Sequence, residues 1–179
     1  MTVITDAEIS SVALASSVSF PAGGTGNPVS VAVICDQKSS GTAGGSSSTS
    51  WTTRALNTKL TDVDNIVTIS SNQFILGAGT YFITWWAPNF FGARGKCALY
   101  DITGTAYLNY GTSGDSSRTG TVSQNVLGST VHSPSASNTY EIRMIVKDAV
   151  ADTGFGLAGG SDTGSVVEQY TTVQIIKLK

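Results

Sequence analysis

The stretch from Asn72 to Pro88, NQFILGAGTYFITWWAP, constrains this chain more than any other. It holds a short apolar run (Phe74, Ile75, Leu76), a tight turn from Gly77 to Gly79, and then an aromatic and β-branched run. Between Tyr81 and Ala87 only Thr84 is polar. A strand with one solvated face alternates apolar and polar residues, and this run does not, so a strand here is predicted to be buried on both faces. It is therefore a central strand that needs a cover on each side. A second sheet supplies one cover, and a neighbouring subunit can supply the other.

The remaining segments read as strands and turns. Ser30–Gln37 is a strong apolar strand, and Lys38–Ser50, a Gly/Ser/Thr run, is expected to be a surface loop. Trp51–Asn57 is extended and amphipathic; Thr61–Asn65 is a turn before a strand at Ile66–Ser70. Lys96–Ile102 and Ala106–Tyr110 flank Thr103–Thr105 with hairpin spacing. Gly111–Gly120 is expected to be a long polar tip, and Thr121–Leu127 a short strand. In Asn138–Lys147, Tyr140, Ile142, Met144 and Val146 share one face; Ala151–Gly164 is a Gly-rich loop around a lone Phe155, and Val166–Leu178 is the final strand. About eight to ten strands with turn signals between them and no long helical period predict an all-β sandwich or barrel. Before it, residues 1–29 read as an arm, with Val12, Leu14, Val18 and Phe20 at two-residue spacing and a connector at Ala22–Pro28.

No residue pattern carries catalysis. His132 is the only histidine and lies in the polar STVHSPS, outside any nucleophile motif. Asp62, Asp64 and Asn65 have oxygen-ligand spacing, but the sharp-turn Gly and closing Glu of a calcium loop are missing, so they read as a turn. Asp101, Asp115, Glu141 and Asp148 are scattered rather than paired for glycoside cleavage. The glycine loops at Gly41–Gly45 and Gly156–Gly164 lack GxxxxGK and open no helix, so they are turns rather than phosphate cradles. Cys35 and Cys97 read as buried thiols, with a disulfide left open, and no metal or cofactor is expected. A net charge of −2 leaves no basic footprint for nucleic acid. No apolar run approaches the roughly 18 residues of a membrane span. Asp6 and Glu8, with no Lys or Arg before Lys38, argue against a signal peptide.

In order, the leading strand, the WxxRxLNT spacing of Trp51, Arg54, Leu56, Asn57 and Thr58, and ISSNxFxLxAGTY from Ile69 to Tyr81 form a recognisable series. With a late tyrosine-bearing strand, the series resembles the tumour-necrosis-factor/complement-globular-head superfamily. It is similar, more narrowly, to jelly-roll domains carried on phage virion proteins. The resemblance covers residues 30–179 and leaves the arm outside. It implies a two-sheet jelly roll that assembles as a homotrimer, with Tyr81, Trp85 and Tyr170 as candidate interface residues. It further implies a non-enzymatic virion structural protein made in a host cytoplasm. That protein would be a capsid decoration or cement protein whose residues 1–20 dock on the major capsid protein, with Lys38–Ser50 and Gly111–Gly120 pointing outward. The alternative is a receptor- or glycan-binding tip of a tail fibre, which the near absence of aromatic residues from those two stretches disfavours.

Overall fold

A computed structural model describes residues 29–117 and 123–178, and the arm expected at residues 1–29 lies almost wholly outside them. The first sheet contains β1 (Ser30–Lys38), β3 (Thr58–Asp62), β6 (Tyr81–Phe90), β9 (Ser123–His132) and β11 (Glu168–Lys177), in the spatial order β3-β1-β11-β6-β9. The second contains β4 (Val67–Ser70), β5 (Gln73–Leu76), β7 (Ala93–Asp101), β8 (Ala106–Ser116) and β10 (Asn138–Val146), in the order β4-β5-β10-β7-β8. The two-residue β2 (Thr52–Thr53) adds to β10. Every pairing is antiparallel. The expected jelly-roll sandwich is present, and its core lies between the two sheets.

Alternation builds that core. Tyr140, Ile142, Met144 and Val146 of β10 are buried as their spacing predicts, against Ile83, Trp85 and Ala87 of β6 and Ile175 of β11. Phe74 packs on Tyr140 with ring centroids 5.5 Å apart. Where β8 and β9 bring the sheet edges together, a side chain at Gly128 would overlap the Trp85 indole. The Trp85 indole N–H points at Cys97 Sγ, 3.1 Å away. Cys35 and Cys97 are both buried and free, and burial pushes the Cys97 thiol up to about 11. The turn at Asp62–Asn65 serves its own backbone: Asp62 accepts the Ile66 N–H at 2.7 Å and pairs with Lys59 at 2.8 Å.

Two sequence expectations change. Lys38–Ser50 is not a free surface loop, because its backbone is zipped to the loop at 150–156 by Gly44 N–H to Gly156 O and Phe155 N–H to Gly45 O. Gly44 allows this approach, since a Cβ there would stand 2.5 Å from the Phe155 carbonyl oxygen. Gly111 to Ser116 is not a polar tip but the second half of β8, paired with β7 as far as Ser116 opposite Ala93. His132, expected in a polar loop or at a strand end, ends the ten-residue β9 opposite Tyr81.

Two charged groups hold these loops. The Glu168 carboxylate accepts backbone N–H groups from Gly41, Gly159 and Gly160 at 3.0, 3.1 and 2.8 Å, and these bonds lower its pKa. The glycine loops thus cradle a carboxylate of their own chain. Arg54 is fully buried. Its guanidinium donates to Thr171 Oγ1 (2.6 Å), Pro88 O (3.1 Å) and Phe155 O (3.0 Å) and lies 3.8 Å from the Phe155 ring centroid. Burial lowers its pKa to about 9, against the pull of Asp36, so it stays charged at neutral pH.

His132 gives the fold a pH response. It meets Tyr140 edge-on at 5.6 Å, and neither its Nε2 nor the Tyr140 hydroxyl has a hydrogen-bond partner among the described residues. Desolvation lowers its pKa, with Asp101 opposing. A base whose folded pKa lies below its unfolded value of about 6.5 binds its proton more readily when unfolded, so stability falls as pH drops through that window. The melting temperature should decline between about pH 7.5 and 5.5, above the carboxylate range. His132→Gln should flatten that decline, and an unchanged slope in the variant would assign it to other groups.

Candidate functional site

Strand β6 carries two faces of different fate. Tyr81, Ile83, Trp85 and Ala87 point into the sandwich and are at most 1% exposed. Phe82, Thr84, Trp86 and Pro88 alternate with them on the outer side, half-buried. The register extends that outer face across four strands. Phe82 lies between Ile176 of β11 and Val131 of β9, Trp86 lies between Thr172 and Leu127, and Val31 of β1 stands opposite Ile176. Leu127 and Val131 are 49% and 60% exposed.

The result is an open sheet face, apolar at Ile176–Phe82–Val131 and at Trp86–Leu127 with the polar row Gln174–Thr84–Ser129 between them, on which no other described strand packs. At one end it deepens into a concavity of about 490 Å³ of mixed lining, with Leu60, Trp86 and Leu157 beside the polar Asn125, Gln169 and Thr172. The two-sided burial predicted for Tyr81–Ala87 is therefore met on one side only within a single chain. This face has no constellation for chemistry. Among the described residues, no group of three or more His, Cys, Asp or Glu could hold a metal ion. What the arrangement can do is bury apolar surface against something else.

The interface candidates read from the sequence need correction. Tyr81 and Trp85 belong to the inward set, packed beneath the second sheet, and are closed to any partner. Tyr170 has the parity of the outer face, but the chain itself covers it. Gly156 sits against its ring, and its hydroxyl donates to Thr42 O at 2.7 Å, leaving it 5% exposed. The residues that present the open face are Phe82, Trp86, Leu127, Val131 and Ile176. Their signal in the sequence was parity: Phe82 and Trp86 are the period-two partners of each other, as Tyr81 and Trp85 are. The one polar residue of the run, Thr84, shares the parity of Phe82 and Trp86 and marks theirs as the outer face.

No family model matches the chain, and no curated protein matches it. Solved structures do. The globular domain of zebrafish complement 1qA superposes with a TM-score of 0.51 at 16% identity, over 84% of this chain and 98% of that one. The chain has the jelly-roll fold of complement globular heads and tumour-necrosis-factor domains. Murine APRIL gives 0.55 at 9% identity, covering 84% and 99% of the two chains. The Eiger TNF of S. frugiperda gives 0.55 at 12% identity, covering 85% and 94%. At these identities the shared property is the jelly roll itself, and the open face of its first sheet is described from this chain alone.

Proposed function

We propose that this jelly roll is a non-enzymatic structural protein that works as a homotrimer, closing the open face of its first sheet against neighbouring copies around a threefold axis. One observation carries this reading: Ile176–Phe82–Val131 and Trp86–Leu127 form two apolar rows, parted by the polar row Gln174–Thr84–Ser129, on a face with no described strand over it. A symmetric partner covers such a face economically, because one sequence then supplies both sides of the contact. Large aromatic and aliphatic side chains are the usual material of a contact core.

In the finer reading, the trimer is a decoration or cement protein on a phage head. It bridges capsid subunits, with residues 1–20 docking on the major capsid protein, and engages neither nucleic acid nor membrane. Its support is the motif resemblance and the apolar spacing of Val12, Leu14, Val18 and Phe20.

Light scattering tests the assembly. A stable species of three times the 18.5 kDa chain is expected at micromolar and nanomolar concentration, and a monomer at both would overturn the reading. For the arm, removal of residues 1–20 should leave the trimer intact and abolish attachment to purified capsids. Unimpaired attachment would remove the arm from the mechanism.

A further inference from the structure

The second sheet has an outer face of different character. On β7 the outward residues are Arg94, Lys96, Ala98 and Tyr100, and on β10 they are Glu141, Arg143 and Ile145, with Lys147 just past its end bonded through its backbone N–H to Arg94 O. The register sets Arg143 opposite Ala98 and Ile145 opposite Lys96, while Tyr107 and Tyr110 of β8 stand opposite Tyr100 and Ala98. Trp51, which precedes β2, completes an aromatic platform, its ring centroid 5.2 Å from Tyr107 and 6.0 Å from Tyr110. Tyr107 stacks on Tyr110 at 5.2 Å, and Tyr110 is 53% exposed.

Arg143 is held in place at the edge of this platform. Its guanidinium lies 3.5 Å from the Tyr100 ring centroid, and its Nε bonds Glu141 at 2.5 Å. Glu141, 3% exposed, also accepts the Thr53 hydroxyl at 3.0 Å. Beside the platform is a depression of about 580 Å³ whose lining includes Arg94, Lys96, Ile145 and Lys147. A chain of net charge −2 thus sets four of its ten Lys and Arg on one sheet face, against Asp115 and the already engaged Glu141.

These groups match one ligand chemistry. The C–H face of a sugar ring is apolar and packs on the electron-rich face of an aromatic ring. A planar, anchored guanidinium offers directed donors to hydroxyl or carboxylate oxygens. Neighbouring cations favour acidic substituents and add a salt-dependent attraction. We propose that this face binds an acidic glycan, with Trp51 and Tyr110 stacking a sugar, Arg143 hydrogen-bonding it, and Arg94, Lys96 and Lys147 pairing with its carboxylate or sulfate groups. A single-stranded nucleic acid fits less well. Its sites space separate rings for successive bases along a basic groove, whereas these rings are packed on one another into one platform.

The test is titration of the full chain with heparin fragments, polygalacturonate, neutral dextran and a single-stranded oligothymidylate. Saturable binding to a sulfated or carboxylated polymer that weakens with salt is expected, and which of the two binds identifies the acidic group. Trp51→Ala and Tyr110→Ala should each lower that affinity about tenfold, the scale of one stacking contact, without moving the melting temperature of the Tyr110 variant. Lys96→Gln combined with Lys147→Gln should flatten the salt dependence. No saturable binding to either acidic polymer would overturn the proposal. So would equal binding of dextran or oligothymidylate, or undiminished affinity in both aromatic variants. Tyr110 borders the open face of the first sheet, since it shares a depression with Trp86 and Leu127; native mass is therefore measured on every variant, and affinity lost in a variant that stays assembled belongs to the glycan site rather than to the trimer.

Discussion

Replacing Arg54 by alanine should destabilise the domain by about 3–5 kcal/mol, the range seen when one member of a buried charged network is removed. The guanidinium is fully buried and joins β11 through Thr171, β6 through the Pro88 carbonyl and the second glycine loop through the Phe155 carbonyl. Alanine removes these donors together, leaves a cavity, and exposes the Phe155 ring to the space the cation filled. Lysine should rescue little, because a single ammonium cannot reproduce a planar fork aimed at separate acceptors. Arg54→Met keeps most of the volume and removes the buried charge, so it should cost less than alanine. Urea denaturation checks this: the midpoint should fall with an unchanged slope. A loss under about 1 kcal/mol would show that the loops hold without the latch.

The second large effect is on assembly rather than folding. Trp86→Asp combined with Leu127→Asp places charges on adjacent strands of the outer face, where both side chains are already partly exposed. A carboxylate forced into a contact core is left desolvated and unpaired, and it faces like charges from symmetric copies. Association should weaken by roughly a thousandfold, in line with loss of a central anchor in an interface. Light scattering should then find a monomer at micromolar concentration with a cooperative melt close to that of the parent. Tyr81→Ala is the contrasting variant: its side chain faces inward, so it should lower the melting temperature first. A trimer that survives both aspartates would mean that the chain self-associates elsewhere.

Those two variants also mark how far the sequence could be read. The strict alternation of Tyr140, Ile142, Met144 and Val146 identified both the strand β10 and its buried face, because one polar row left no choice. In β6 the same reasoning found the strand and its central place, and its one polar residue, Thr84, shares the parity of Phe82 and Trp86 and so marks the outer face. Tyr81 and Trp85, the interface candidates, face the core, while Phe82 and Trp86 face outward. The burial of Tyr170 depends on Gly156, in the preceding loop, which lies against its ring only because it lacks a side chain. The loop from Lys38 to Ser50 looked exposed because its residues are small. Smallness is what lets it zip to a second small-residue loop. The aromatic platform escaped notice for a similar reason: Trp51, Tyr100, Tyr107 and Tyr110 come from three segments, and only the register of β7 and β8 assembles them.

The place of β11 bears on how the chain comes to be folded. It is the last of the strands in sequence, yet it sits inside the first sheet, hydrogen-bonded to β1 on one side and β6 on the other. During synthesis every other strand emerges first, and β1 and β6 must wait with unpaired edges. The nascent chain therefore has no native first sheet to rest in until Glu168–Lys177 has emerged. Such late, long-range closure is slow and leaves strand edges open to wrong partners. Crowded copies of an unfinished chain would find one another through those edges. The protein's yield in a cell should thus depend on translation rate and chaperone access at least as much as on the stability of the finished domain.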